Sequence, residues 1–154
     1  LSGLHGQYNV STLDGETIAD ARTATVWAVD WEIDREFVRI SGEAALADVE
    51  LPPSLEGLLA SGQWGGYSDV VGPFGQGWIG TMPRSSVEAK ARIEFLNFDR
   101  DLDGDDAFRL SLGVSFRPTA NTAFKLDYFT GRSHDRFDNP AEQAGILFSA
   151  ATYF

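Results

Sequence analysis

The chain has 154 residues, enough for one folded domain, and it is rich in glycine and aromatic residues, a mixture that favours strands and tight turns over helices. Its formal net charge of −11 argues against nucleic acid as a partner, because phosphate binding requires a surplus of Lys and Arg. It contains no cysteine, which excludes disulfides, thiolate zinc sites and cysteine nucleophiles.

Period-two alternation of apolar and polar residues predicts the strands of the first half of the chain. Residues 4–11 predict a short first strand. Trp27, Val29, Trp31 and Ile33 then alternate with polar or small residues, and the pattern resumes over residues 38–46 after a short turn near residue 35. Residues 58–72 predict a further strand more weakly, because they contain many glycines.

The alternation is clearer in the second half, where it predicts strands over residues 87–95, 108–117, 124–128 and 144–154. Within residues 108–117 every even position is apolar and every odd position is polar or glycine, and a turn at residues 118–121 joins this strand to the next. The sequence therefore predicts a single all-β domain over residues 1–154, an antiparallel up-and-down meander of about eight strands. The clear strands have about the 9–11 residues that a tilted strand needs to cross a bilayer.

The connections between these strands alternate in length. Those near residues 34–36 and 118–121 are short, whereas residues 12–22, 48–57, 97–107 and 132–143 form longer, mostly acidic segments. Antiparallel strands place alternate connections at opposite ends, so short turns gather at one end and long loops at the other. That asymmetry is typical of outer-membrane barrels. Residues 74–85 break the pattern, because they are long on the side of the short turns.

The end of the chain resembles the last strand of bacterial outer-membrane barrels. Such strands end in Phe and carry apolar residues at every second position before it, a pattern matched by Ile146, Phe148, Ala150 and Phe154. Thr152 departs from it, because an aromatic residue is usual there and the tyrosine is at position 153. In that family the strand is the signal for assembly into the membrane, and the resemblance assigns the same role to these residues.

Residues 87–154 also resemble the C-terminal strands of porin-type barrels, most closely in residues 92–95, 112–119 and 124–128. The resemblance implies a transmembrane β-barrel in the bacterial outer membrane through which small hydrophilic solutes diffuse passively. Its implied partners are outer-membrane lipid, the outer-membrane assembly machinery and small polar solutes. Porins of this kind are considerably longer, so the chain is expected to be either a complete narrow barrel or the C-terminal part of a larger one.

Charged residues of both signs occupy the polar face of the predicted strands, and they are the candidates for lining a pore. They are Asp30, Glu32, Arg39, Glu43, Glu88, Lys90, Arg92, Glu94, Arg109, Lys125 and Asp127. In a narrow barrel the same residues would instead pair across strands and fill the interior. Because both signs are present, neither interpretation predicts a strong anion or cation filter.

An acidic segment at residues 99–106 is the sharpest local motif. Asp99, Asp101 and Asp103 alternate before Gly104 and Asp105, which resembles the first half of a calcium loop. Position twelve of such a loop would be Leu110, which lacks a carboxylate and belongs to a strand. We therefore expect a solvated acidic loop that binds a divalent cation weakly at most, and no other cofactor.

The sequence contains no nucleophile elbow, zinc-protease motif or phosphate-binding loop, so we do not expect an enzyme. Two alternatives to a porin-like barrel stay open at this stage. One is a soluble β-barrel or sandwich that acts as a binding module with its apolar face turned inward. The other is a narrow eight-stranded barrel that is structural and does not conduct. Whether copies of the chain associate is also left open.

Overall fold

The fold is described by a computed structural model that covers residues 1–8, 12–13, 16–17 and 21–153. In order, the strands are β1 (Ser2–Tyr8), β2 (Thr12–Leu13), β3 (Glu16–Thr17), β4 (Arg22–Arg35), β5 (Val38–Val49), β6 (Gly62–Pro73), β7 (Ser86–Asn97), β8 (Asp106–Thr119), β9 (Thr122–His134) and β10 (Pro140–Thr152). Nowhere in these covered residues does a helix have the length and apolarity needed to span a membrane.

Eight of these strands form one antiparallel sheet in the order β1-β4-β5-β6-β7-β8-β9-β10, and β2 pairs with β3 in a separate small sheet. Every strand of the large sheet lies beside its neighbour along the chain, so the predicted eight-stranded meander is confirmed. Within the residues that the structure describes, β1 and β10 make no contact with each other. The sheet is therefore open, with β1 and β10 at its edges.

Several strands extend beyond the limits that alternation predicts. The loop between β9 and β10 was expected over residues 132–143, but β9 continues to His134 and β10 begins at Pro140. The first strand is described from Ser2 to Tyr8, and residues 9–11 of its predicted range lie outside the described residues, whereas β6 begins at Gly62 and not at residue 58. Backbone pairing continues at the strand ends although the side chains there are polar or small, and apolar alternation alone does not detect such residues.

The register separates the side chains of the sheet onto two faces. The apolar face contains rows of cross-strand partners such as Trp27, Leu46 and Trp64, or Leu112, Tyr128 and Ile146. The polar face contains rows such as Glu32, Ser41, Asp69, Arg92 and Ser111. This segregation follows directly from the period-two sequence pattern, because antiparallel partners point to the same side of the sheet.

From β6 to β9 the apolar face is the more exposed of the two. On β7, Ile93 is 52% exposed, whereas the side chain of Arg92 on the other face is 28% exposed and that of its partner Asp69 only 13%. No hydrophobic side chain among residues 1–8 and 21–153 is buried. The described sheet thus has no apolar core, and its apolar side chains cover an open outer surface.

The connections lie at two ends of the sheet as the sequence predicts. Residues 50–61, 98–105 and 135–139, called here the long-loop rim, share one end, and the short turns at residues 36–37 and 120–121 lie at the other with residues 74–85. The rim loops bind one another, since Arg136 donates hydrogen bonds to the carbonyl oxygens of Gly57 (2.7 Å) and Leu58 (3.2 Å). Arg100 forms an ion pair with Asp48 at 2.7 Å.

Candidate functional site

An ion-pair network lies at the centre of the polar face, across β6, β7 and β8. Asp69 on β6 lies 3.4 Å from the ammonium of Lys90 and 3.4 Å from the guanidinium of Arg92, both on β7. Glu94 then lies 3.3 Å from Arg92 and 3.9 Å from Arg109 on β8. The chain of alternating charges is held by adjacent strands whose register is fixed by the backbone ladder, so the charged groups sit on a rigid support.

Two arginines of this network also lie on aromatic rings. The Arg92 guanidinium carbon is 3.9 Å from the centre of the Tyr67 ring, and that of Arg109 is 5.2 Å from the centre of the Phe129 ring. A planar guanidinium can stack on a ring and still present its edge N–H groups to carboxylates, which an ammonium cannot do. Each of the two arginines thus lies close to an aromatic ring of the polar face as well as to a carboxylate.

The acidic part of the polar face lies over β4 and β5. Asp30 and Glu43 are directly opposite each other in the register, and Glu32 is opposite Ser41. Arg39 lies 3.4 Å from Asp34 near the short turn. Further basic residues of the face, Lys90, Arg92, Arg109, Arg117 and Lys125, belong to β7, β8 and β9, where they lie among acidic residues such as Glu88, Glu94 and Asp127. The face is therefore mainly acidic over β4 and β5 and of mixed charge from β6 to β9.

The polar face is concave. A cavity of about 260 Å³ is lined by side chains from β5 to β9, including Arg39, Lys90, Arg117 and Lys125. In a flat sheet, strands four positions apart are about 19 Å from each other, too far to line one such space. A second cavity of about 280 Å³, lined by Glu94, Arg109, Ser111 and Phe129 among others, continues it from β7 to β10. The sheet therefore curls around its charged side.

Most of the predicted pore-lining residues belong to this concave face. Glu88, Lys90, Arg92, Glu94, Arg109, Lys125, Asp127 and Arg39 line the two cavities, whereas Asp30, Glu32 and Glu43 lie on the acidic side over β4 and β5. Asp69, Tyr67 and Arg117 belong to the same surface but were not among the predicted residues. Alternation gave no signal for Asp69, because its neighbours on the same face of β6, Tyr67 and Val71, are not polar residues, and glycines occupy much of the other face.

The carboxylates of the acidic segment do not converge. Asp99 is 7% exposed and accepts a hydrogen bond from the backbone N–H of Asp101, whose own carboxylate accepts one from Ser61. No group of three or more His, Asp or Glu side chains with metal-binding geometry occurs among the residues described. Asp103 and Asp105 lie in the same loop between β7 and β8. Weak divalent-cation binding by this loop stays a prediction.

Two carboxylates of the rim are held in their charged form. The Asn139 side-chain amide, together with the backbone N–H groups of Asn139 and Phe137, lowers the pKa of Asp135. The backbone N–H and hydroxyl of Thr23 similarly lower the pKa of Glu50, with a smaller contribution from the charge of Arg22. Hydrogen bonds to a carboxylate favour its ionised state. Both groups therefore act as anionic anchors for their loops at neutral pH.

The C-terminal strand has the predicted alternation. Ile146, Phe148 and Ala150 lie on the apolar face of β10, paired with Tyr128, Leu126 and Phe124 of β9. Phe154, the last residue of the predicted assembly signal, lies outside the described residues. Aromatic side chains of the apolar face lie towards both ends of the sheet, with Trp27, Trp64, Phe95 and Phe108 near the rim and Phe116 and Phe124 near the short turns. Trp31 and Tyr128 lie nearer its middle.

A search for related proteins assigned the chain to no family. No match was found among protein-family models, curated proteins or solved structures. The geometry of the two faces is therefore the basis on which a function is proposed.

Proposed function

We propose that this sheet forms part of the wall of a bacterial outer-membrane β-barrel, through which small hydrophilic solutes diffuse passively. The observation that carries the proposal is the polarity of the two faces. Charged residues occupy the concave side, while the convex side consists of exposed apolar residues with no layer covering them among the described residues. A soluble sheet buries its apolar face, and a transmembrane barrel turns it towards lipid.

The dimensions of the apolar face support a membrane environment. On β8, the aromatic residues Phe108 and Phe116 bound a run that contains Leu110, Leu112 and Val114 on the same face. Eight residue steps correspond to about 27 Å along a strand, or about 21 Å along the membrane normal at the usual tilt of about 40°. This is close to the apolar band of about 25 Å between aromatic girdles in known outer-membrane barrels.

The character of the concave face is consistent with the proposed passage of polar solutes. Its charged groups of both signs form a surface that water and small polar molecules can solvate, and two cavities of about 260 and 280 Å³ lie along it. A larger barrel that contains this wall would enclose an aqueous channel, whereas a barrel of eight strands alone is filled by its own side chains. Since neither positive nor negative side chains dominate the polar face from β4 to β9, we expect the channel to select solutes by size more than by the sign of their charge.

Two adjacent residues of β8 provide a direct test. Leu112 lies on the apolar face and Ser111 on the polar face. The chain contains no cysteine, so a cysteine introduced at either position is the single thiol of the variant. In lipid vesicles we expect Leu112→Cys to react with a membrane-confined maleimide and to resist a water-soluble one. Ser111→Cys should show the reverse preference, because its thiol faces the aqueous interior.

The same preparation measures transport. Vesicles that contain the protein should become permeable to small sugars and amino acids but not to large dextrans. If both thiols react equally with the water-soluble reagent, or if the chain stays in buffer without detergent, the soluble binding module becomes the better interpretation. Correct labelling without permeability would favour the narrow structural barrel.

A further inference from the structure

The loop between β6 and β7 is long and apolar, although it lies at the end of the sheet where the other connections are short turns. In residues 74–85 the only charged residue is Arg84, and there is no Asp or Glu, in a chain that has 23 acidic residues. The large apolar side chains of the loop are 40–68% exposed, and they are Phe74, Trp78, Ile79 and Met82. The loop therefore presents apolar groups and one positive charge to its surroundings.

Backbone hydrogen bonds tie the two arms of this loop together. The N–H of Gly77 donates to the carbonyl oxygen of Ser85 at 2.8 Å, and the N–H of Ser85 donates to that of Met82 at 2.9 Å. Ser85 itself is only 3% exposed. The loop is thus held by its backbone while its apolar side chains point outward, and an exposed apolar patch of this kind marks a surface that another molecule covers.

The aromatic residues of the loop lie on the apolar side of the sheet. Phe74 and Gly75 form a β-bulge opposite Val87, since the N–H of Phe74 donates to the Val87 carbonyl at 2.9 Å and the N–H of Val87 donates to the Gly75 carbonyl at 3.0 Å. Val87 belongs to the apolar face, opposite Phe116. The Trp78 ring packs edge-on against the Phe74 ring, with 5.5 Å between the ring centres.

The loop does not turn into the concave side of the sheet. None of residues 74–85, all of which the structure describes, lines either of the two cavities on that side. At Gly75, an added Cβ would lie 2.9 Å from the Trp78 ring, so this glycine leaves the room in which the ring packs beside Phe74. The loop therefore continues the apolar face beyond the ends of β6 and β7.

We propose that residues 74–85 dock onto the phospholipid surface of the membrane leaflet at the short-turn end, with Trp78 and Ile79 among the headgroups and Arg84 against their phosphates. The inference rests on the proposed function, because it requires the convex face to contact lipid. An indole ring suits this interface, since its body is apolar and its N–H is polar. A guanidinium binds phosphate, and a loop without acidic residues is not repelled by anionic headgroups.

The test uses the whole chain in vesicles of phosphatidylcholine and phosphatidylglycerol that contain a lipid with a spin label near the headgroup. A fluorophore is attached to Ile79→Cys in the loop or, as a control at the opposite end of the sheet, to Asp103→Cys in the long-loop rim. We expect the spin-labelled lipid to quench the Ile79 label at least threefold more strongly than the Asp103 label. Aqueous iodide should show the reverse preference.

Two glycines of the loop provide a matched pair of variants. A Cβ added at Gly75 meets the Trp78 ring, whereas a Cβ added at Gly80 meets nothing within 4 Å. Gly75→Ala should therefore push the ring away from Phe74 and reduce lipid quenching of the Ile79 label at least twofold. Gly80→Ala should leave that quenching unchanged. Equal effects of the two substitutions would count against the docked position of Trp78.

A third labelling position distinguishes this inference from the proposed function. If lipid with a spin label deep in the acyl chain quenches a fluorophore at Leu112→Cys but no spin-labelled lipid quenches the Ile79 label, the loop inference is overturned and the barrel wall stands. Absence of lipid quenching at both positions would overturn both. An Ile79 label that is shielded from iodide but not quenched by lipid would show that protein, from a partner or a second copy, covers the loop, and it would also overturn the inference.

Discussion

Leu112 and Ser111 are neighbours on β8 whose side chains point to opposite faces of the sheet. If the apolar face contacts lipid, Leu112→Arg places a charge near the middle of the bilayer, and we expect it to cost about 2–4 kcal/mol of folding free energy. Ser111→Arg places the same charge in the aqueous interior and should cost much less. Equilibrium refolding into lipid vesicles measures both values, and equal costs would contradict the assignment of the faces.

At Gly113 an added Cβ would meet the carboxylate of Asp127, which is the far end of a side chain that can rotate away. Gly113→Ala should therefore push Asp127 out of its present rotamer and destabilise the protein by about 0.5–1.5 kcal/mol. In an Asp127→Ala background the collision is absent, and the same substitution should be neutral or slightly stabilising, because alanine restricts the unfolded chain more than glycine does. Denaturant unfolding of the four proteins tests this coupling, and additive effects would argue against it.

Among the structural elements, the loop at residues 135–139 is organised by a single carboxylate. Asp135 accepts hydrogen bonds from the backbone N–H of Phe137 and of Asn139, each at 2.9 Å, and its backbone carbonyl accepts one from Asp105 of the next loop. The side-chain amide of Asn139 completes the set at 2.9 Å. One residue thus holds its own loop and joins it to the neighbouring one.

This arrangement predicts a pH dependence. Since the folded-state pKa of Asp135 is lowered from 3.8, its stabilisation is present above pH 3.8 and is lost as the pH falls through the lowered value. Amide exchange of Phe137 and Asn139, corrected for intrinsic rates, should accelerate in that acidic range. Asp135→Asn should show fast exchange already at neutral pH and little further change on acidification. A variant that responds to acid like the parent chain would exclude Asp135 as the anchor.

How well the sequence predicts a strand depends on whether its side chains alternate between apolar and polar. Alternation predicted β4, β5 and β7 to β10 because one side of each strand is apolar. It predicted β6 poorly, since its glycines carry no side chain to mark a face, and the contribution of Asp69 to the ion-pair network was missed with it. The pairing of Asp69 with Arg92, or of Arg136 with residues 57–58, depends on register and on loop conformation, which single-strand periodicity does not contain.

For the molecule as a whole, the exposed apolar face decides whether the sheet is stable in water alone or needs lipid or detergent. Fixing the backbone costs about 1–2 kcal/mol per residue, and burial of apolar surface normally offsets most of that cost. Among the described residues no hydrophobic side chain is buried, and Trp27, Leu126, Ile146 and Phe148 are all more than half exposed. In water alone the isolated sheet lacks this compensation, whereas lipid or detergent can supply it on the convex face.

We therefore expect the chain to lack a cooperative unfolding transition in plain buffer and to acquire one in micelles or vesicles. Far-UV circular dichroism should show strand content that rises with detergent above its critical micelle concentration, and unheated samples should migrate differently from boiled ones on gels. Leu126→Asp on the apolar face should reduce the strand content gained in detergent. Lys125→Asp, its neighbour on the polar face, should leave that gain unchanged. Cooperative unfolding of a monomer in buffer without detergent would show that the apolar face is covered by protein, and it would favour a soluble β-sandwich over a barrel wall.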